Sequence, residues 1–160
     1  MFYYNQYIRA KSLEEAYELY QKRQNFIVGG MLWTKMKNTT LGTAIDLCEL
    51  GLDSIEENEN EFRIGAYVSL RDIETNESLN KYTDNAFANS VKDIVGVQFR
   101  NVATVGGSIW GRYGFSDVMT IFRALGAKVE LFHEGIMELD DFVKLPRTVR
   151  DILVSVIVPK

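Results

Sequence analysis

Two glycine pairs are the residues of this sequence best suited to chemistry. Gly29-Gly30 directly follows the apolar run 26–28, and Gly106-Gly107 lies within the segment 101–109. A glycine pair after an apolar strand lets the backbone approach a ligand closely and turns successive N–H groups toward one point. Such donors hold a phosphate or pyrophosphate without cationic side chains. The alternative interpretation of each pair is a turn that serves only the fold.

Motif spacing and composition exclude several other chemistries. Neither glycine pair has the spacing of the dinucleotide fingerprint G-x-G-x-x-G or of the P-loop. The chain has one cysteine, Cys48, and one histidine, His133, so it cannot by itself ligate an iron–sulfur cluster or form most zinc sites. We therefore predict that this chain by itself binds no metal and forms no His-dependent catalytic triad. We expect Cys48 to be a buried small hydrophobe and Asp140-Asp141 to open a short helix.

Charge and hydropathy limit the partners. With 18 Lys and Arg against 22 Asp and Glu, the net charge of −4 gives no general attraction to nucleic acid or anionic lipid. No apolar run approaches the ~20 residues that span a bilayer, and the first residues lack the features of a signal peptide. We expect a cytoplasmic protein with no nucleic-acid partner and no membrane span. A length of 160 residues suits one domain or two small lobes.

Hydrophobic periodicity predicts a small α/β lobe at the start of the chain. Ser12 with Glu15 three residues later is typical of a capping box and predicts a helix up to about Arg23. Short strands are expected at 26–28 and 44–47. The polar run 56–61 predicts a charged turn between lobes, so we assign 1–57 to the first lobe and 58–160 to the second.

The second lobe is expected to combine strands and helices. Segment 101–109 is short and rich in glycine, which predicts a non-helical turn there. The other predicted elements are a strand at 62–66, a helix capped by Ser69, a helix capped by Asp84 or Asn85, a helix capped by Ser116 and ended by Gly126, a hairpin over 128–138 and a last strand at 152–158. The fold class is therefore α+β, a small α/β lobe joined to a larger lobe with a mainly antiparallel sheet.

The residues around the second glycine pair resemble a known family. Arg100-Asn101-Val102-Ala103-Thr104-Val105-Gly106-Gly107-Ser108-Ile109, then Ser116-Asp117 and Ala124-Leu125-Gly126-Ala127, are similar to the FAD-binding domain of molybdenum hydroxylases, the xanthine dehydrogenase and carbon monoxide dehydrogenase flavoproteins. Segments 26–30, 44–47, 62–66 and 151–159 resemble its first flavin loop, I-D-L strand, I-G-A strand and closing strand, in that order. The resemblance covers nearly the whole chain and implies the two-lobed FAD-binding fold of the PCMH type.

The resemblance also implies a binding site. The backbone from Phe26 to Trp33 would surround the FAD pyrophosphate, with Thr104 and the second glycine pair as the other wall. Asp117 matches a position that accepts hydrogen bonds from ribityl or ribose hydroxyls, although N-capping beside Ser116 would also explain it. The residues implied to bind FAD are Phe26, Ile27, Val28, Gly29, Gly30, Met31, Leu32, Trp33, Ile94, Thr104, Gly106, Gly107, Ser108, Asp117 and Leu153.

Three departures from the family pattern affect this site. The first loop usually reads G-G-T-D-L, whereas residues 29–33 here read G-G-M-L-W. The loop 110–115 is unusually aromatic, and either Trp110 or Tyr113 would stack on a flavin or adenine ring, or else these residues would anchor the loop or face a partner subunit. Family members usually continue past the closing strand with a C-terminal α+β domain. We expect that domain to be absent here.

The function implied by the resemblance is electron transfer by an oxidoreductase subunit. Non-covalent FAD would take electrons from iron–sulfur clusters on a partner chain, which a molybdopterin-binding subunit reduces, and pass them to NAD or another acceptor. The partners would be an iron–sulfur subunit and a molybdopterin subunit, since this chain lacks cluster ligands. The alternative is a non-catalytic scaffold or assembly subunit of the same fold with weak or lost FAD binding.

Overall fold

The strands form two separate sheets in the computed structural model, which describes residues 2–160. The first sheet is parallel, in the order β1-β3-β2, and consists of β1 (Phe2–Arg9), β2 (Phe26–Val28) and β3 (Thr39–Asp46). The second is antiparallel, in the order β4-β5-β8-β6-β7, and consists of β4 (Ile55–Glu57), β5 (Glu61–Gly65), β6 (Lys128–Leu131), β7 (Gly135–Glu138) and β8 (Leu153–Pro159). The predicted α+β class is confirmed.

The small lobe consists of the parallel sheet, one α-helix, α1 (Leu13–Tyr20), and a short 3-10 helix at Thr34–Met36. Ser12 caps this helix as predicted, because its Oγ accepts a hydrogen bond from the N–H of Glu15 at 3.2 Å. The helix ends at Tyr20, before the predicted Arg23. Strand β1 was not predicted, since its side chains are exposed over five consecutive positions and show no alternation.

The large lobe carries the remaining helices around the antiparallel sheet. They are α2 (Leu70–Thr75), α3 (Glu77–Tyr82), α4 (Ala86–Val91), α5 (Val97–Val102), α6 (Val105–Trp110), α7 (Asp117–Ala124) and α8 (Leu139–Lys144). The predicted capping box at Ser69 is confirmed. Fully buried aromatic rings form the centre of the core, where Phe87 and Phe122 meet edge to face with centroids 4.9 Å apart. Of the helices within residues 2–160, none is long and apolar enough to cross a bilayer.

The prediction for segment 101–109 is wrong, because helix α5 ends and helix α6 begins within it. Thr104 caps α6 by accepting the N–H of Gly107 at 3.1 Å. Gly106 suits this helix because α6 lies directly against β5, and a Cβ at that position would sit 2.6 Å from the Ala66 carbonyl oxygen. Close packing therefore offsets the helix-breaking tendency of the glycine pair.

Three further predictions need correction. Of the polar run 56–61, only 58–60 forms the turn, and Glu56 and Glu57 belong to β4, which pairs with β5 across the predicted lobe boundary. Cys48 is exposed, because β3 ends at Asp46 and Cys48 lies in the turn that follows. Asn85 occupies the cap position of α4 but lies in the left-handed region, and its side chain makes no capping bond. The hairpin of β6 and β7, helix α8 and strand β8 agree with the sequence.

A buried ion pair joins helices α2 and α5. The Arg100 guanidinium donates to the Glu74 carboxylate at 2.7 and 3.2 Å, and the Arg100 side chain is 6% exposed. Arg100 also donates to the carbonyl of Ile94 at 3.1 Å. The neighbouring guanidinium holds the pKa of Glu74 below its ordinary value. Arg71 forms a second, more exposed ion pair with the same carboxylate.

This pair predicts a stability change that depends on pH. The folded-state pKa of Glu74 lies below the unfolded value of 4.5, so the pair stabilises the fold above that pH and its contribution is lost on further acidification. Glu74→Gln leaves Arg100 buried without a counter-charge and should lower the free energy of unfolding by about 3 kcal/mol at neutral pH. Denaturant unfolding at several pH values measures the difference in free energy of unfolding between wild-type protein and Glu74→Gln. This difference should become smaller as the pH falls below the unfolded pKa of Glu74.

Arg71→Ala is the control, since an exposed ion pair contributes about 0.5 kcal/mol. A difference between Glu74→Gln and wild-type protein that stays constant across the acid range would contradict the assignment.

Candidate functional site

A cavity of about 790 Å³ lies between the two lobes. We call residues 29–33 the first glycine segment and residues 104–108 the second glycine segment, and both line this cavity. All positions that the sequence implied for the site lie on its wall: Phe26, Ile27, Val28, Gly29, Gly30, Met31, Leu32, Trp33, Ile94, Thr104, Gly106, Gly107, Ser108, Asp117 and Leu153. The fold therefore brings the two segments together from distant parts of the chain.

The first glycine segment lies directly against the residues that lead into the second. A Cβ on Gly30 would lie 1.8 Å from the carbonyl oxygen of Val102, and a Cβ on Gly29 would lie 3.0 Å from the hydroxyl oxygen of Thr104. The first distance is shorter than any tolerated contact, so only glycine fits at position 30 in this conformation. The Gly29-Gly30 pair therefore allows two stretches of backbone to approach closely, although the stretch that it meets is protein and not a ligand.

The first glycine segment has unused hydrogen-bond donors. Within residues 2–160, the N–H groups of Gly29, Gly30, Met31, Leu32 and Trp33 donate to no protein acceptor. Met31 adopts a left-handed conformation with φ of 56°, which is uncommon for a residue other than glycine. These residues line the cavity, so their N–H groups are available to an anionic ligand.

The N–H groups of residues 105–108, in the second glycine segment, are already used within the protein. Val105 donates to the Val68 carbonyl at 2.9 Å, and Gly106 donates to the Ala66 carbonyl at 2.8 Å. Gly107 donates to the Thr104 hydroxyl, and Ser108 donates to the Thr104 carbonyl. The expectation that both glycine pairs present N–H groups to a ligand is therefore wrong for the second pair. What this segment offers the cavity is the Thr104 hydroxyl, whose proton has no acceptor in the described part of the chain.

The carboxylate of Asp117 is free at the cavity wall. Ser116 caps helix α7, because its Oγ accepts the N–H of Met119 at 3.1 Å. Asp117 occupies the first helical position, and among residues 2–160 its carboxylate has no hydrogen-bond or ion-pair partner. The capping alternative for Asp117 is thus wrong, and its oxygens are available to accept hydrogen bonds.

Comparison with known proteins identifies the family. Residues 3–160 match the family described as the FAD binding domain in molybdopterin dehydrogenase. The chain belongs to this family. It is 26% identical over 145 residues to the uncharacterized protein YgfM of Escherichia coli strain K12, an alignment that covers 88% of this chain and 54% of YgfM. The chain therefore spans about half the length of that curated relative.

Two solved structures show the same fold. A chain of the Cu,Mo-CO dehydrogenase in its cyanide-inactivated form matches with a TM-score of 0.86 at 24% identity, covering 98% of this chain and 59% of the other. A chain of quinoline 2-oxidoreductase from Pseudomonas putida 86 matches with a TM-score of 0.85 at 19% identity, covering 99% of this chain and 59% of the other. The predicted two-lobed architecture is that of these chains.

Aromatic rings from two loops of this chain are in contact at the cavity wall. Tyr113 and Phe115 stack with centroids 5.3 Å apart, and both contact Trp33, at 5.9 and 6.0 Å. Trp110 packs against Phe142 instead, with centroids 5.6 Å apart, and so anchors its loop to the core. Of the two stacking candidates, Trp110 has an anchoring contact, whereas Tyr113 lies beside the first glycine segment.

Tyr67 is a residue of the site that the sequence analysis missed. Its hydroxyl donates to the carbonyl of Val28, the residue before Gly29, and accepts the N–H of Leu47 at 3.0 Å. It also lies 3.2 Å from Oδ1 of Asp46. The only sequence signal was its place directly after the strand that resembles the family's I-G-A strand, which gives no indication of where the side chain reaches.

Close backbone approach at position 30 predicts a large stability effect. Gly30→Ala places a methyl group within the radius of the Val102 carbonyl oxygen, and backbone at that position cannot yield without separating the two segments. We expect a loss of about 3 kcal/mol or more in the free energy of unfolding, measured by denaturant titration. Gly114→Ala is the matched control, because a Cβ there meets no atom within 4 Å. Equal stabilities of the two variants would contradict the close approach.

Proposed function

We propose that this chain binds FAD non-covalently in the cavity between its lobes and acts as the electron-transfer subunit of a molybdenum hydroxylase-type dehydrogenase. The observation that carries the proposal is the contact between the two glycine segments at one cavity, with unused backbone donors on one side. The cavity volume of about 790 Å³ lies within the range of about 300–1,000 Å³ that holds ligands of this size.

The residues present fit the diphosphate of FAD. The N–H groups of the first glycine segment, which lack protein acceptors in the described chain, are donors for its oxygens. A Cβ at position 29 would fill the space beside Thr104, so glycine keeps that space open. Departure from the family's G-G-T-D-L loop does not remove these donors, because they belong to the backbone. Backbone N–H dipoles would then compensate the charge of the diphosphate, and Lys37 also lines the cavity.

Two side chains complete the proposed contacts. The Thr104 hydroxyl, which lies beside Gly29, would donate a hydrogen bond to the ligand, while its oxygen keeps the cap of α6. The Asp117 carboxylate accepts from ribityl or ribose hydroxyls, since Ser116 already supplies the helix cap. The side chains of Ile94 and Leu153 form apolar parts of the cavity wall.

The chain's own part in the reaction is placement. Bound FAD supplies the redox chemistry, and the protein supplies its orientation and its electrostatic surroundings. No side chain of the cavity is required as a general acid or base. Tyr113 and Phe115 provide aromatic faces beside the first glycine segment that suit a planar ring.

Electron transfer requires other chains. With one cysteine and one histidine, this chain has too few ligands for an iron–sulfur cluster, so we propose that a partner iron–sulfur subunit delivers the electrons. A molybdopterin subunit would oxidise the substrate and reduce the clusters, and NAD or another acceptor would take the electrons from the flavin. The family membership and the shared fold with chains of CO dehydrogenase and quinoline 2-oxidoreductase support this assignment. We propose a cytoplasmic complex.

Titration with FAD tests the proposal directly. Protein freed of unbound FAD should remain yellow, and a FAD concentration of about a hundred times Kd should stabilise the protein by about 2.7 kcal/mol, measured as a rise in the thermal midpoint. Thr104→Val should raise the Kd for FAD about tenfold, because it removes the hydroxyl donor, while Thr104→Ser should bind as wild-type protein does. Ser69→Ala, which removes a helix cap outside the cavity, controls for the lost cap.

A colourless protein that gains no stability from FAD would favour the scaffold alternative. Wild-type affinity in Thr104→Val would remove the hydroxyl from the site while leaving the rest of the proposal in place.

The free carboxylate at the cavity wall predicts a second effect. Asp117→Asn removes a charged acceptor for sugar hydroxyls and should raise the Kd for FAD about tenfold with little change in apoprotein stability. Quenching of flavin fluorescence measures the Kd. Asp53→Asn, a surface carboxylate outside the cavity, is the control. An unchanged Kd in Asp117→Asn would show that this carboxylate does not contact the ligand.

A further inference from the structure

The hydroxyl of Tyr67 joins the ends of two strands in the small lobe. Strands β2 and β3 are neighbours, with Val28 paired to Asp46. The Tyr67 hydroxyl donates to the Val28 carbonyl and accepts the N–H of Leu47, so it bonds to the last residue of β2 and to the residue after β3. Strand β2 has only three residues, which leaves few other bonds to fix its end.

The backbone around Tyr67 holds the second glycine segment. Residues 66–70, which we call the 66–70 connector, run from β5 to α2. The Ala66 carbonyl accepts the N–H of Gly106, and the Val68 carbonyl accepts the N–H of Val105, at 2.8 and 2.9 Å. At its far end the N–H of Leu70 donates to the Ala103 carbonyl at 2.8 Å. One short stretch of chain therefore bonds to the second segment by its backbone and to the strand before the first segment by the side chain of Tyr67.

We propose that Tyr67 is a positioning residue that sets the spacing between the two glycine segments and thereby the affinity of the site for the diphosphate of a flavin nucleotide. The inference rests on the proposed function. Gly29 follows Val28 directly, so the position of the Val28 carbonyl determines where the free N–H groups of the first segment begin. Without the Tyr67 hydroxyl, the end of β2 loses its bond to the 66–70 connector, whose backbone holds the second glycine segment.

Tyr67 suits this role chemically. Burial raises the pKa of its hydroxyl above the ordinary value, so the group remains a donor at all physiological pH values. It has one proton, which goes to the nearest acceptor, the Val28 carbonyl, while its lone pairs accept the N–H of Leu47. Phenylalanine would fill the same volume and leave both backbone groups without this partner.

Tyr67→Phe tests the role through ligand discrimination. The Kd for FAD, and the ability of ADP and AMP to displace FAD, are measured by flavin fluorescence in wild-type protein and variants. We expect the FAD Kd to rise about tenfold in Tyr67→Phe and the preference for ADP over AMP to fall by a similar factor. General loosening of the fold would weaken ADP and AMP equally and leave their ratio unchanged. Tyr82→Phe is the control, since it removes a hydroxyl bonded to the Pro159 carbonyl outside the cavity.

A measurement on wild-type protein does not depend on how the variant folds. Hydrogen exchange at the Leu47 amide, which donates to Tyr67, should slow when ADP binds and should not slow with AMP. An unchanged ADP-to-AMP ratio in folded Tyr67→Phe, or Leu47 exchange that ADP leaves unaffected, would overturn the role of Tyr67 while FAD binding stands. Wild-type protein that binds no FAD would overturn the proposed function and this inference with it.

Discussion

The site depends on the close approach of two backbones, at Gly30 and at the Val102 carbonyl. No side chain fits between them, because a single methyl group at position 30 would overlap the carbonyl oxygen. This contact places a segment of the small lobe beside the end of helix α5, and the cap of α6 at Thr104 follows immediately. The cavity exists where the two lobes diverge from that contact. Everything proposed about ligand binding requires it to persist.

The two glycine pairs solve different physical problems. Gly106 allows helix α6 to lie on Ala66, and the N–H groups around it are consumed in holding that helix in place. The first segment is the reverse case, since it leaves its N–H groups unpaired and relies on neighbouring groups such as the Tyr67 hydroxyl for its position. One part of the cavity wall, the second glycine segment, therefore has its glycine N–H groups bonded within the protein. The other part, the first glycine segment, has N–H groups available to a ligand. This division of roles places most of the backbone donors for an anion on the small lobe, while the large lobe offers the Thr104 hydroxyl.

Local patterns predicted the fold well where the capping and periodicity signals were strong. Ser12, Ser69 and Ser116 each begin a helix as their spacing indicated. The residues that the resemblance implied for the site all line one cavity, and their contact with FAD stays a prediction. The prediction for segment 101–109 was wrong because helix α6 depends on the packing of Gly106 against Ala66. This is a tertiary contact, and the low helix propensity of glycine gives no indication of it. Strand β1 was not predicted because its side chains are exposed at five consecutive positions, so the strand shows no alternation of apolar and polar residues.

The hydrogen-bond partners of Tyr67 could not be predicted from the sequence either. A tyrosine after a strand gives no sign of which backbone groups its hydroxyl will meet, since Val28 and Leu47 come from a different lobe. The allocation of N–H groups was invisible for the same reason. Two identical glycine pairs differ in whether a neighbouring carbonyl happens to accept their hydrogens, and only the assembled fold decides that.

The position of β8 within the large sheet has a consequence for biosynthesis. This strand is the last to be translated of those described, yet it lies between β5 and β6 and its first residue, Leu153, forms part of the cavity wall. A nascent chain that has emerged only as far as the small lobe has neither the opposing wall nor the central strand that supports it. Pairing of β8 with β5 joins residues far apart along the chain, and contacts of this kind slow folding. The proposed binding of FAD would therefore require β8 to have emerged and paired, and the N–H donors of the small lobe would stay hydrated until that strand is in place.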